Sequence, residues 1–279
     1  MIFYFFFMLF LSFVNFCVLD YVVWWSVFVI CTFIFVFLTI GNGSTSCLVN
    51  YYVIQEICGY YFLVFDSWKF QFFFLMLKSG SAPFHFWLFS VLSGLKGWSI
   101  LWFLTLQKLP YFVVLLNFCS DFFFVLFFGM VFCYIHFFLL RDFLDMVVIG
   151  STESFNWLLL LSMFSFNEVF VLFFFYYFVM FLIISYVFNG SVNFISLEML
   201  MIFFNVPLSL TFFLKILLLF GTSSLVGFFY FFLLLLMCLM SLGVSYLFFC
   251  VSMVGYNFGL KYYDYFFYLL FCIGLLSVF

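Results

Sequence analysis

The chain has 279 residues, of which 71% are hydrophobic and only 6% charged, and its mean hydropathy is +1.43. A soluble domain is about a quarter charged, so water is excluded as the solvent, and the small net charge of −3, with no run of basic residues, argues against a nucleic-acid partner. At about 20 apolar residues per span, residues 1–279 make one transmembrane domain of roughly ten to twelve helices.

Charged and turn-forming residues divide the apolar text. A first helix is expected over about 2–19, stopping at Asp20; a second over 21–40, ending at Gly41-Asn42-Gly43-Ser44; a third over 47–65, containing Glu56 and ending at Asp66-Ser67-Trp68-Lys69. The first lacks the basic start of a signal peptide and is expected to be retained. A fourth covers about 70–92 with Gly80 and Pro83 inside it, and the loop Ser93-Gly94-Leu95-Lys96-Gly97 is a strong break. The fifth, 98–119, is interrupted at Pro110; the sixth, 122–140, is closed by Arg141 and Asp142; the seventh, 143–165, carries Glu153. Beyond Asn167-Glu168 an eighth runs over 169–188, the turn Asn189-Gly190-Ser191 leads to a ninth over 198–220 with Pro207, a tenth spans 224–250, and the last spans 262–279 after Lys261, with Asp264 in its first turn. The fold class is therefore an all-α polytopic membrane protein of about eleven transmembrane helices.

Three lysines, Lys78, Lys108 and Lys215, fall inside these stretches. An ammonium at mid-bilayer costs roughly 2.5–3.5 kcal/mol, so such groups are kept for a task, ordinarily the movement of an ion. Each lysine has a proline nearby, Pro83, Pro110 or Pro207, and irregular backbone beside a buried charge is how transporters build ion sites. Glu56 lies ten residues before Asp66 and Lys78 nine after Lys69, which puts both about 13–15 Å from one face and allows them to pair. The alternative has Glu56 bonded to Gln55, a tyrosine or backbone. Snorkelling is the alternative for the lysines, more so for Lys215, which sits toward one end of its helix. His85, between Phe84 and Phe86, and His136 titrate near neutrality and can join a proton relay. Arg141, Asp142 and Asp145 form a boundary charge cluster.

Nine cysteines, none at CxxC spacing, lie mostly in apolar runs, and no Gly-rich dinucleotide fingerprint is present; the expectation is no metal, no bound cofactor and no redox centre. Two histidines are too few for a two-haem cytochrome or a copper–haem oxidase core. The 59 phenylalanines exceed what packing needs and point to an AT-biased organellar genome.

The segment Leu77–Trp87, LKSGSAPFHFW, followed by LQKLP around Lys108, resembles the chain 2 family of mitochondrial NADH:ubiquinone oxidoreductase, respiratory complex I, in its nematode form. YYVIQ at 51–55, STESFNW at 151–157 and VPLSLTFFLK ending at Lys215 fall in the expected order, so the resemblance covers about residues 50–220. It implies an antiporter-like subunit of the membrane arm, with two inverted repeats of five helices and two discontinuous helices. It further implies a proton relay in which Lys78 is the first site, Lys108 the central one and Lys215 the step toward the exit, with Glu56 and His85 as further candidates. One departure stands out. The family's membrane glutamate on the helix before YYVIQ has no counterpart in WWSVFVICTF, so Glu56 either substitutes or the pair is missing.

The function so implied is proton translocation coupled to electron transfer in partner subunits, in the mitochondrial inner membrane, with other membrane-arm subunits and the lipid bilayer as partners. The chain is then part of an enzyme without holding its redox chemistry. A stand-alone cation/proton antiporter and a purely structural membrane-arm subunit are the alternatives.

Overall fold

The computed structural model describes residues 2–41, 43–140, 143–163, 215–216, 219 and 230–240, and every regular element among them is helical. The expected eighth and last helices, the breaks at 167–168 and 189–191, Pro207 and most of the ninth helix, the ends of the tenth, Arg141, Asp142, Lys261 and Asp264 lie outside the described residues. The chain forms two compact units, one of residues 1–133 and 151–163, the other of 134–150 and 164–279.

In the first unit, α1 (Ile2–Cys17) presents Phe3, Phe6, Phe10 and Phe13 outward, a stripe at helical spacing whose members are 60–73% exposed. The reverse face buries Met8, Leu11 and Asn15. Asp20 ends this helix and starts the next, because its carboxylate accepts the Val22 amide at 3.0 Å and satisfies one of the four donors that a helix start leaves open. α2 (Tyr21–Thr39) buries Trp24, Val27, Phe28, Cys31 and Phe35, one face by their spacing, and α3 (Thr45–Val64) buries Tyr51, Gln55, Cys58, Gly59 and Phe62 in the same way.

The expected fourth helix is two. α4 (Trp68–Ser79) stops at Gly80, whose φ of +65° only glycine adopts without strain, and α5 (Trp87–Leu92) resumes after the bend. The last carbonyls of α4 would be costly orphans in an apolar interior, and three of them find donors. Met76 O accepts from Ser81 N at 3.0 Å and from the Ser79 and Ser81 hydroxyls, Leu77 O from Trp87 Nε1 at 2.9 Å, and Lys78 O from Gln55 Nε2 at 2.9 Å. Ala82, in the middle of the bend, is held on both backbone groups by one side chain: Ala82 N donates to Asn156 Oδ1 and Asn156 Nδ2 donates to Ala82 O, each at 3.2 Å. Gly129, on the later helix Phe123–Leu139, lets that helix lie against this same backbone, since a Cβ there would come within 2.7 Å of the Ala82 carbonyl carbon.

The expected fifth helix is also interrupted, but one turn earlier than Pro110. α6 (Trp98–Leu104) gives way at Thr105 to a single 3₁₀ turn, Leu106–Lys108, and α7 (Leu109–Phe118) begins with Pro110 in its first turn. Proline clashes with the carbonyl four residues before it and is at home at a helix start, so the break falls in the preceding turn. α7 is buried from Leu109 to Leu116; α1, α2 and α4 pack on it, and α3 packs between α2 and α4. A 3₁₀ turn over Cys119–Asp121 leads to α8 (Phe123–Leu139), and α9 (Phe143–Ser162) follows. In the second unit, Tyr230–Met240 is an apolar helix within the expected tenth span.

Polarity is inverted relative to a water-soluble protein. Phe124, Phe128, Phe132 and Leu139 of α8 are 50–73% exposed, while Ser151, Thr152, Asn156 and His85 are fully buried. By length and composition, Tyr21–Thr39 and Trp98–Phe118 are able to cross a membrane among the described residues. Because Asn156 supplies both bonds at Ala82, Asn156→Ala is expected to destabilise the fold by about 1–3 kcal/mol by leaving both backbone groups unsatisfied, read as a lower melting point and lower recovery of the protein from membranes; unchanged values would show that the bend does not need the clamp.

Candidate functional site

Lys78 ends α4, and at 2% exposure it is sealed from solvent. A cation in the last turn of a helix is favoured by the carbonyls there. Its ammonium lies 4.9 Å from the centre of the Phe28 ring and 5.9 Å from that of Tyr111, so two aromatic faces occupy the place where a carboxylate partner was sought. The face of α2 without an acid thus meets the lysine with a ring. Glu56 is half-buried, makes no ion pair with Lys78 and acts on it only at longer range. The level of Lys78 along α3 falls between Gln55, which binds its carbonyl, and Gly59, which borders its amine.

Lys108 sits in the 3₁₀ turn at the start of α7, 3% exposed, its Nζ donating to Ser151 Oγ at 3.3 Å and 5.4 Å from the Phe155 ring. Between the two lysines lies a buried set of neutral polar groups. Gln107 Nε2 donates to the Tyr51 hydroxyl at 2.6 Å, Tyr111 O–H donates to Gln55 Oε1 at 3.1 Å, and Gln55 passes on to the Lys78 carbonyl. Gln107 is the neighbour of Lys108 in sequence, and its side chain also comes close to the Tyr111 hydroxyl. Tyr51, Gln55, Gln107 and Tyr111 are each at most 3% exposed.

The run STESFNW supplies much of the surroundings from one helix. Ser151 and Phe155 meet Lys108, Asn156 clamps the bend, and Trp157 Nε1 donates to Glu153 at 3.0 Å. A string of polar residues inside an apolar helix was the available signal for these roles. His85 is fully buried in the bend after α4, stacked on Phe86 at 4.7 Å between ring centres. Lys215 belongs to the second unit, where it is 4% exposed and donates to Met240 Sδ at 3.5 Å; His136 and Asp145, in the same unit, sense one another's charge. Among the described residues no group of His, Cys, Asp and Glu has the makings of a metal site.

No protein-family profile matches the chain. It is 45% identical over 214 residues to NADH-ubiquinone oxidoreductase chain 2 of Ascaris suum, an alignment covering 76% of this chain and 71% of that one. The chain belongs to this family. NADH-ubiquinone oxidoreductase chain 2 of Caenorhabditis elegans is 39% identical over 212 residues, 75% of each chain. The Gln107–Tyr51 bond is the shortest in the polar set, so Gln107→Leu is expected to cost about 1–3 kcal/mol by orphaning the Tyr51 hydroxyl. A heating series on the detergent-solubilised protein measures this, and an unshifted transition would mean that the pair carries no load.

Proposed function

We propose that this chain is a proton-translocating, multi-pass subunit of the membrane arm of respiratory complex I, in the mitochondrial inner membrane. It has about eleven spans in antiporter-like inverted repeats and works with other membrane-arm subunits. NADH oxidation and quinone reduction occur in those partners, and this chain holds no redox centre or cofactor. Membership of the chain 2 family supports the setting. The observation that carries the mechanism is the pairing of two sealed lysines, Lys78 and Lys108, each at a helix break, with hydrogen-bonding side chains between them and an apolar exterior around them.

The chemistry follows from what each group is able to hold. An amine takes up and releases a proton; a tyrosine hydroxyl both donates and accepts; a glutamine amide orients its neighbours without changing charge. Lys78 and Lys108 are therefore the proton-holding stations, Tyr51 and Tyr111 the hydroxyls able to pass hydrogen bonds along, and Gln55 and Gln107 the groups that position them. Lys215, Glu56 and His85 are the further relay candidates, Lys215 toward the exit.

Lys108→Ala is expected to lower proton translocation and coupled NADH:ubiquinone activity at least about tenfold, the scale of losing a positioned proton-transfer group, while the complex still assembles. Full coupled activity in that variant refutes the relay. Co-migration of the chain with a large NADH-oxidising assembly on native gels checks the setting, and migration as a free exchanger refutes it.

A further inference from the structure

At the end of the bundle where α2 stops, the turn between α2 and α3 and the turn after α5 enclose a cavity of about 340 Å³, lined by Ser44, Ser46, Ser90, Ser93, Lys96 and three glycines. Its walls are tied together. Ser44 N donates to Gly94 O at 3.0 Å, and a Cβ on Gly94 would run into the Ser44 hydroxyl and Cys47, so the two turns meet as closely as glycine permits. Lys96 is exposed; among the described residues its ammonium forms no ion pair or hydrogen bond, and no acid lines the cavity. α3 begins at this wall and adds the positive end of its dipole to the Lys96 charge. The hydroxyls differ in what they offer. Those of Ser90 and Ser93 donate to carbonyls three residues back, Trp87 O at 2.8 Å and Ser90 O at 3.1 Å, so they present lone pairs to the cavity. Those of Ser44 and Ser46, 3.4 Å apart, have no carbonyl acceptor among the described residues and are able to turn their hydrogens toward an anion.

The cavity lies at the level of lipid headgroups. α2, long and apolar enough to cross a membrane, ends at Thr39, and Trp98, exposed, stands two residues past Lys96; a basic residue and an outward tryptophan at the end of a span mark the membrane interface. Deeper along the same two helices the outward side chains are apolar: Phe37 of α2 and Val49 of α3 are exposed, and below them the Phe33 and Tyr52 rings meet at 6.3 Å.

We propose that this cavity holds the headgroup of an anionic glycerophospholipid, with its phosphate on Lys96, Ser44 and Ser46. A hydroxyl of the headgroup donates to the lone pairs of Ser90 and Ser93, and the acyl chains lie on the apolar side chains below. Free phosphate shares the first of these contacts and has nothing to place on the other two. A choline headgroup brings its own positive charge toward Lys96 and no hydroxyl for the serines. The site is separate from Lys78 and Lys108, and no proton transfer runs through it.

The test titrates the detergent-purified complex, stripped of loosely held lipid, with dihexanoyl phosphatidylglycerol, dihexanoyl phosphatidylcholine or inorganic phosphate while its thermal unfolding is followed, since a ligand that binds the folded state raises the transition. Phosphatidylglycerol is expected to raise it more than either other probe. In Lys96→Gln the concentration needed for the same rise is expected to grow about tenfold, the scale of one hydrogen bond to a charged group, and Lys96→Arg is expected to restore the original response. Comparison with Lys96→Gln isolates this cavity from any other lipid site on the complex. An unchanged phosphatidylglycerol response in Lys96→Gln overturns the site. A rise from inorganic phosphate as large as that from the lipid overturns the lipid as occupant, and equal rises from the two lipids overturn the headgroup assignment. Should Lys96→Gln fail to assemble, a density map of the native complex decides: headgroup density on Lys96 supports the site, and a neighbouring subunit's side chains or water alone in the cavity overturn it.

Discussion

The bend between α4 and α5 is the feature on which the rest depends, because hydrocarbon tolerates irregular backbone only where protein supplies every lost partner. Five side chains do so here: Gln55, Trp87, Ser79, Ser81 and Asn156 bond the backbone groups around the bend. Some of those donors lie in the bend itself and the others on α3, α5 and α9, so polar residues are drawn inward and phenylalanine is left on the outside. The interior that results is one where an ammonium finds a helix end, aromatic faces and amides, and the exterior is one that lipid is able to wet.

The same logic explains why Lys78 tolerates the loss of a carboxylate partner. A buried ion pair returns little net stability once the desolvation of both charges is counted. Meeting the amine with the Phe28 ring avoids the desolvation of a second charge and supplies an attraction of about 0.5–2 kcal/mol. What the ring cannot do is accept a proton. Holding the charge and moving it are thus divided between different groups at this lysine.

Much of this was legible in the sequence because lysines and prolines are rare in so apolar a text. The positions of Lys78 and Lys108, the ends of α1, α2 and α9 and the presence of two interruptions follow from them. The break before Pro110 was misplaced by one turn, since the clash of a proline falls on the residue four positions back and not on itself. Glu56 drew attention by its charge, whereas the partner that meets Lys78 is the uncharged Gln55. Neutral hydrogen-bonding residues carry no periodic or compositional signal that separates them from ordinary helix contacts. Phe28 was equally silent, because an aromatic facing an amine and an aromatic facing lipid read alike. The expected helices beyond residue 163 fall almost wholly outside the described residues.

One helix links the surroundings of Lys108 to the bend after Lys78. Ser151 and Phe155 of α9 touch Lys108, and Asn156, the next residue, holds the bend that follows Lys78. Helical rise over these six positions is about 8 Å, and a helix this short is stiff. A shift of α9 along its axis cannot lengthen the Ser151 contact with Lys108 without also straining the two bonds at Ala82. A displacement of α9 therefore reaches both the Lys108 amine and the bend that follows Lys78, whereas one confined to the α4–α5 bend must first break the Asn156 clamp.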